Sequence, residues 1–206
     1  NNGGIVRGNT TSLRGGVVFD KNADNKTERS LVFDQGTTGT FAGQIIGLGS
    51  VAKLGIGKLI LTGVNSYNLG TTVSAGILQG NTNSLQGDIL NTASVIFDQN
   101  VAGKYSGVMS GTGTLDKNGT GKLAIASDQF YTGATNINAG EFNTNATFQS
   151  SVVNVNVGGT LSGNGKFIAI NNNGGTISPG NSIGRIGVVG NLTMGPNSRY
   201  YAEING

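Results

Sequence analysis

Alternation of apolar and polar residues is the dominant pattern along the chain. In Val153-Asn154-Val155-Asn156-Val157 the Val side chains fall on one side of an extended backbone and the Asn side chains on the other. Leu59 and Leu61, Leu123 and Ile125, and Tyr200, Ala202 and Ile204 repeat the same period of two. No window keeps the i, i+3, i+4, i+7 spacing of an amphipathic helix without a glycine interrupting it, and glycine costs about 1 kcal/mol in a helix interior. The pattern predicts an all-β chain of short strands, roughly four to seven residues each. Gly, Asn and Ser-Gly punctuation closes them.

A long internal repeat decides how those strands are arranged. Residues 33–78 recur at 97–142 with a constant offset of 64. Phe33-Asp34-Gln35 returns as Phe97-Asp98-Gln99, and Lys53, Gly55, Gly57, Lys58 and Leu59 return as Lys117, Gly119, Gly121, Lys122 and Leu123. Tyr67, Thr71, Ala75 and Gly76 return as Tyr131, Thr135, Ala139 and Gly140. A gapless repeat of this length means similar units stacked along one axis, each burying its apolar face against its neighbours. The reading is a β-solenoid in which the period divides into three coils of about 21 residues. About ten coils at the spacing of strands in a sheet make a rod on the order of 45–50 Å long. Equivalent residues are then expected to lie above one another, so that inward Leu, Ile and Val form ladders.

Along the chain, 1–30 reads as a partial or adjoining coil whose polar stretch Lys21 to Arg29 is an exposed loop or hairpin. Residues 31–94 and 95–157 are the two repeat units, and 158–206 holds terminal coils and a cap. Asn171 to Gly175 reads as a turn, and Pro179 and Pro196 both avoid clean alternating runs. The glycines shared by the copies, Gly55, Gly57, Gly76, Gly119, Gly121 and Gly140, are read as turn residues.

Composition narrows the chemistry. Among 206 residues there is no His and no Cys, while Gly numbers 37. Thiol chemistry, disulfides, Ser-His-Asp catalysis and His-ligated zinc are thereby excluded. Charged residues make up only 11%, and the formal net charge is +3 with a sequence pI near 9.3. The thirteen Lys and Arg are scattered singly, without the basic stripe that marks a nucleic-acid interface. No apolar run approaches the roughly 20 residues of a membrane helix. The first residues carry no leader pattern, and both ends read as cuts through a longer protein.

Candidate chemistry is sparse. Asp34 and Asp98, the repeated carboxylates, are expected about three coils or roughly 14 Å apart, too far for an acid/base pair. They read as turn caps. Lys53, Lys117, Lys58 and Lys122 read as outward strand positions that discourage edge pairing, with a weakly basic ridge as the functional alternative. Tyr67, Tyr131, Phe41 and Tyr105 read as corner packing, with a carbohydrate platform as the alternative. The chain has ten carboxylates, with no Asp-Asp pair and no G-G-x-G-x-D calcium repeat. No catalytic, cofactor or metal set is expected, and the chain is read as a non-enzyme. The most specific segment is Ser178-Pro179-Gly180-Asn181-Ser182 with Gly184. Pro presets one φ and Gly permits a positive one, so it is expected to re-aim the chain into a terminal cap. That cap would use strands near 186–189, 191–194 and 199–204.

The stretch GTGTLDKNGTGKLAIASDQFYTGATNINAGEF, Gly111 to Phe142, resembles the passenger-associated transport repeat of bacterial autotransporters. So does GLGSVAKLGIGKLILTGVNSYNLGTTVSAGIL, Gly47 to Leu78, although Val51 stands for the early Leu and Asn68-Leu69-Gly70 for the usual turn. Thr176 to Gly206, with its S-P-G-x-S-x-G motif and E-I-N ending, is similar to the segment that closes autotransporter passengers. The resemblance implies a right-handed parallel β-helix exported by type V secretion, on the bacterial cell surface or released after cleavage. It further implies an autochaperone-like role for roughly 140–206. The implied partners are the protein's own C-terminal β-barrel translocator and the outer-membrane assembly machinery. A host surface protein or glycan is a possible further partner; nucleic acid is not, and the chain is read as a monomer.

Overall fold

The structure is a computed structural model that describes residues 4–20 and 29–203. Short strands of two to five residues wind into a solenoid of parallel sheets on three faces. The first face carries Ile5–Gly8, Ser30–Asp34, Ser50–Leu54, Thr71–Val73, Ile89–Asn91 and Met109–Ser110. It is continued by the bridges Gln129 to Phe148 and Thr147 to Lys166 and by the pair Lys166–Phe167 and Gly187–Val188. The second face runs through nine strands from Gly39–Phe41 to Leu192–Met194, which sets nine coils. Val17–Phe19, Ile45–Gly47 and Ser66–Tyr67 begin the third face, and Gly103–Tyr105 through Arg199–Tyr200 complete it.

Inward positions alternate with outward ones, as in Ser50–Leu54, where Val51 and Lys53 are buried while their neighbours are half-buried. The core is a continuous column of Leu, Ile, Val, Phe and Tyr along the axis. Each fully buried Leu or Phe contributes about 1.5–3 kcal/mol, so a stack of short strands holds together although no coil has a core of its own.

The repeat does not close after three coils. Ser94–Asp98, the counterpart of Ser30–Asp34, lies on the second face and not on the first. Likewise Thr114–Asn118 and Gly103–Tyr105 sit one face beyond Ser50–Leu54 and Gly39–Phe41. Sixty-four residues therefore make ten faces, three coils and a third, and the second copy is turned by a third of a turn. The physical reason is coil length. Phe33 to Lys53 and Lys53 to Val73 are steps of 20 residues, and Val73 to Asn91 and Gly80 to Phe97 are steps of 18 and 17, all below the expected 21, so 64 residues run past three coils. Ladders are thus built from different positions of the repeat, such as Phe33, Lys53, Val73 and Asn91 in one column.

The coil at the start also repeats, with a shifted offset. Gly8-Asn9-Thr10-Thr11-Ser12-Leu13 matches Gly80-Asn81-Thr82-Asn83-Ser84-Leu85 at an offset of 72. Asn9 and Asn81 close the same loop, accepting at Oδ1 from the backbone N–H two residues on at 3.0 and 2.9 Å. The difference of eight between the offsets corresponds to residues 21–28. The expected exposed loop at 21–29 lies, apart from Arg29, outside the described residues.

Candidate functional site

The segments that the two copies share most closely build one kind of corner. After Lys53 the chain turns through Leu54-Gly55-Ile56-Gly57, with Gly55 at φ +75°. A side chain on Gly57 would stand 2.3 Å from the Thr37 carbonyl oxygen, and one on Gly76 would stand 2.4 Å from that of Gly57. The corner of the second copy has the same glycines: Gly119 at φ +79°, Gly121 against Val101, and Gly140 against Gly119. Only glycine lets these turns stack so closely.

Backbone carbonyls at the corner turn inward, where each meets an ammonium group. Lys53 Nζ donates to Leu54 O at 2.8 Å, Gly55 O at 2.7 Å and Ala75 O at 3.0 Å. Lys117 Nζ donates to Asn118 O at 2.9 Å, Gly119 O at 2.7 Å and Ala139 O at 2.9 Å. Both side chains are 0% exposed, so the reading of Lys53 and Lys117 as outward positions is corrected. Strand alternation puts them in phase with Val51 and Leu115, and three carbonyls satisfy the three donors that water would otherwise hold. Burial lowers the Lys117 ammonium to about 8 and lowers Lys53 as well, with Asp98 and Asp34 opposing the shift. Lys58 and Lys122 lie half-buried on the outside, Lys58 donating to Gln79 Oε1 at 3.0 Å and Lys122 pairing with Glu141 at 3.0 Å. Burial raises the Glu141 carboxyl, but hydrogen bonds from Ser162 and Lys122 outweigh it and hold the group below its ordinary range.

The capping expected of the repeated Asp residues falls to their neighbours. Asp34 pairs with Arg7 at 2.6 Å, and Asp98 accepts from Gln79 Nε2 at 3.0 Å. Gln35 and Gln99 are buried, and each accepts at Oε1 from the backbone N–H of Thr10 or Thr82 at 3.0 Å. Each also donates from Nε2 to a turn carbonyl, Thr37 O at 3.0 Å or Val101 O at 2.9 Å. A polar residue in phase with the buried Phe before last would have marked these glutamines as internal. The aromatics expected at corners are also buried in the core: Phe33 meets Phe41 at 5.0 Å and Phe97 meets Tyr105 at 5.2 Å. Tyr67 and Tyr131 bond Thr71 and Thr135 through their hydroxyls, and burial raises both phenols. None is available as a sugar platform.

In the terminal segment, Ser178 and Pro179 end the strand Thr176–Pro179 opposite Ser162 and Gly163. Arg199–Tyr200 reaches only Thr176 and Ile177, so the missing N–H of Pro179 faces no further strand. Gly180, at φ +94°, exchanges two backbone hydrogen bonds with Gly163, at 2.8 and 3.1 Å. Asn181 Oδ1 accepts from Asn143 Nδ2 at 2.6 Å, tying the turn to a strand two coils back. A side chain on Gly184 would collide with Asn164 Oδ1 at 2.1 Å, and one on Gly180 with the Ser182 carbonyl at 2.2 Å. The strands expected beyond it, Gly187–Val188, Leu192–Met194 and Arg199–Tyr200, pair in parallel with the coil before and make the last described coil.

Among the described residues no three Asp or Glu side chains gather where they could hold a metal ion. Asp34 and Asp98 stand on different faces.

Comparison with known proteins bears on this arrangement. Residues 51–79 and 115–143 match the passenger-associated-transport-repeat, so each match begins on the strand that carries the buried lysine. A protein described as "Adhesin BmaC autotransporter", from Brucella suis biovar 1 (strain 1330), is 31% identical over 179 residues. That alignment covers 68% of this chain and 5% of the relative, so the chain spans about a twentieth of the relative's length. No solved structure matches the chain.

Proposed function

Because the chain belongs to the passenger domains of autotransporters and carries two passenger-associated-transport-repeats, we propose that it is the β-helical stem at the membrane-proximal end of its passenger. The stem holds a distal effector or adhesin away from the outer membrane and performs no reaction of its own. One observation carries this reading: what the two copies share is mostly interior. Phe33, Gln35, Lys53, Leu59, Tyr67 and Thr71 are buried and identical in the second copy. Outward positions diverge, with Thr40, Ile60 and Thr72 becoming Lys104, Ala124 and Asn136. A shared ligand surface would have kept the outside.

The stem also supports folding during export through the protein's own translocator barrel. Each buried ammonium takes two carbonyls from its own corner and the third from the coil that follows it in sequence. A coil added at the N-terminal end of the stack therefore finds that acceptor already in place. A coil added at the other end buries its lysine one acceptor short. Its place is the bacterial surface, and the last coil with the Ser178–Gly184 turn acts as template. A second reading, that this segment itself adheres to a host protein or glycan, is favoured only by the relative's printed name.

Removing residues 31–94 from the whole protein separates the two. Ten faces leave together, so the remaining strands re-pair with everything beyond turned by a third of a turn. The stem reading expects surface display and adhesion to persist on a rod shorter by about 16 Å. Display without adhesion favours the second reading, and loss of a folded, displayed passenger contradicts the stem.

A further inference from the structure

A cleft of about 390 Å³ opens at the corner between the second and third faces near the end of the stack. Its floor is backbone, Gly158-Gly159 and Gly174-Gly175. At Gly174, φ +95°, a side chain would meet Val157 Cγ2 at 2.9 Å and the Pro196 carbonyl at 3.4 Å, so the space depends on glycine. The rim is held in place. Ser198 Oγ donates to Asn172 O at 2.8 Å and accepts from Gly174 N at 3.1 Å. Beside it Asn197 is the one described non-glycine residue with positive φ, at 61°.

The groups that face this space are hydroxyls, a guanidinium, an amide and an apolar side chain. Thr160 and Thr176 are register neighbours on the third face, and Arg199 follows them in the same outward row. Earlier in that row Glu141 is already paired with Lys122. The Arg199 guanidinium has no hydrogen-bond or ion-pair partner among the described residues. Val157, 74% exposed, adds an apolar wall. A planar guanidinium fork suits a carboxylate, hydroxyls and the Asn197 amide suit sugar hydroxyls, and an exposed Val suits the C–H face of a pyranose ring.

We propose that this corner cleft binds a carboxylate-bearing sugar, with Arg199 on the carboxylate, Thr160, Thr176 and Asn197 on hydroxyls, and Val157 under the ring. A bare anion fits less well, because it would leave Val157 and the threonines unused and there is no second cation in the cleft. The inference is independent of the stem reading, since a stem can carry such a site and lose it without losing its fold.

The test is a titration of the ¹⁵N-labelled chain with methyl glucuronide, with methyl glucoside as the neutral counterpart and inorganic phosphate as the bare anion. Glucuronide is expected to shift amides of residues 158–160, 174–176 and 197–199 saturably, and to bind at least tenfold more tightly than either control. Arg199→Gln and Val157→Asp are each expected to weaken it at least tenfold with an unchanged melting temperature, and Arg199→Lys less. If Arg199→Gln loosens the last coil, Val157→Asp, on an earlier coil, carries the test. Equal binding of glucoside, tighter binding of phosphate, no saturable shift, or full affinity in Val157→Asp overturns the proposal.

Discussion

At the scale of single residues, the buried lysines are the least expected feature and the most testable. An ammonium removed from water is costly unless every donor is met, and here three carbonyls meet three donors. Lys117→Met would leave those carbonyls unpaired while sparing the desolvated charge, a net loss on the order of 2 kcal/mol at neutral pH. The pH dependence has a definite sign. The folded-state value near 8 lies below the roughly 10.4 of an unfolded lysine, so between them the unfolded chain binds the extra proton. Stability therefore rises with pH across that window, and Lys117→Met flattens the rise by the share of Lys117, leaving that of Lys53. Denaturant midpoints of both proteins at pH 7, 8, 9 and 10 measure it, and parallel curves would refute the assignment. These residues were legible in principle, because alternation places Lys117 in phase with Leu115. The expectation that charge lies outside overrode the period; composition does not reveal that a glycine corner presents carbonyls inward.

At the scale of elements, strand existence was readable from alternation and glycine punctuation, whereas strand length was not. Two to five residues suffice because strands within the stack are paired on both sides by the coils above and below, while those at the sheet edges have one strand neighbour. The Val-Asn alternation at 153–157 places Asn154 and Asn156 in two amide ladders, Asn154 Nδ2 to Asn136 Oδ1 at 2.8 Å and Asn156 Nδ2 to Asn138 Oδ1 at 2.7 Å. Such ladders reinforce stacking beyond the backbone bonds. The turn at 178–184 belongs to the same scale, its Pro-Gly readable as a turn but its bond from Asn143 to Asn181 hidden by 38 residues of separation. Gly180→Val introduces a side chain at φ +94° against a backbone oxygen, a strain on the order of 2–4 kcal/mol. Proteolysis is expected to trim the variant back toward residue 180 while the earlier coils resist. A variant as resistant throughout as the parent would show that the turn does not hold the last coil.

At the scale of the whole molecule, the sequence offset revealed stacking but not rotation. An offset of 64 fits three longer coils or ten shorter faces equally well, and only the register of 17 and 18 residues chooses between them. The rotation has a consequence: outward residues shared by the copies point in different directions, which suits a scaffold better than a continuous binding strip. Support is also uneven along the axis. Phe148 meets Phe167 at 5.1 Å, Phe142 at 5.7 Å and Tyr131 at 6.2 Å, an aromatic cluster in the C-terminal half. Both amide ladders lie in the same half. Together with the lysines' dependence on the coil that follows, this supports the proposed direction of growth. Pulsed hydrogen exchange during refolding, read by mass spectrometry, tests it directly. Amides of residues 135–180 are expected to gain protection before those of 30–75; simultaneous protection, or the reverse order, would contradict a stem that grows from its C-terminal end.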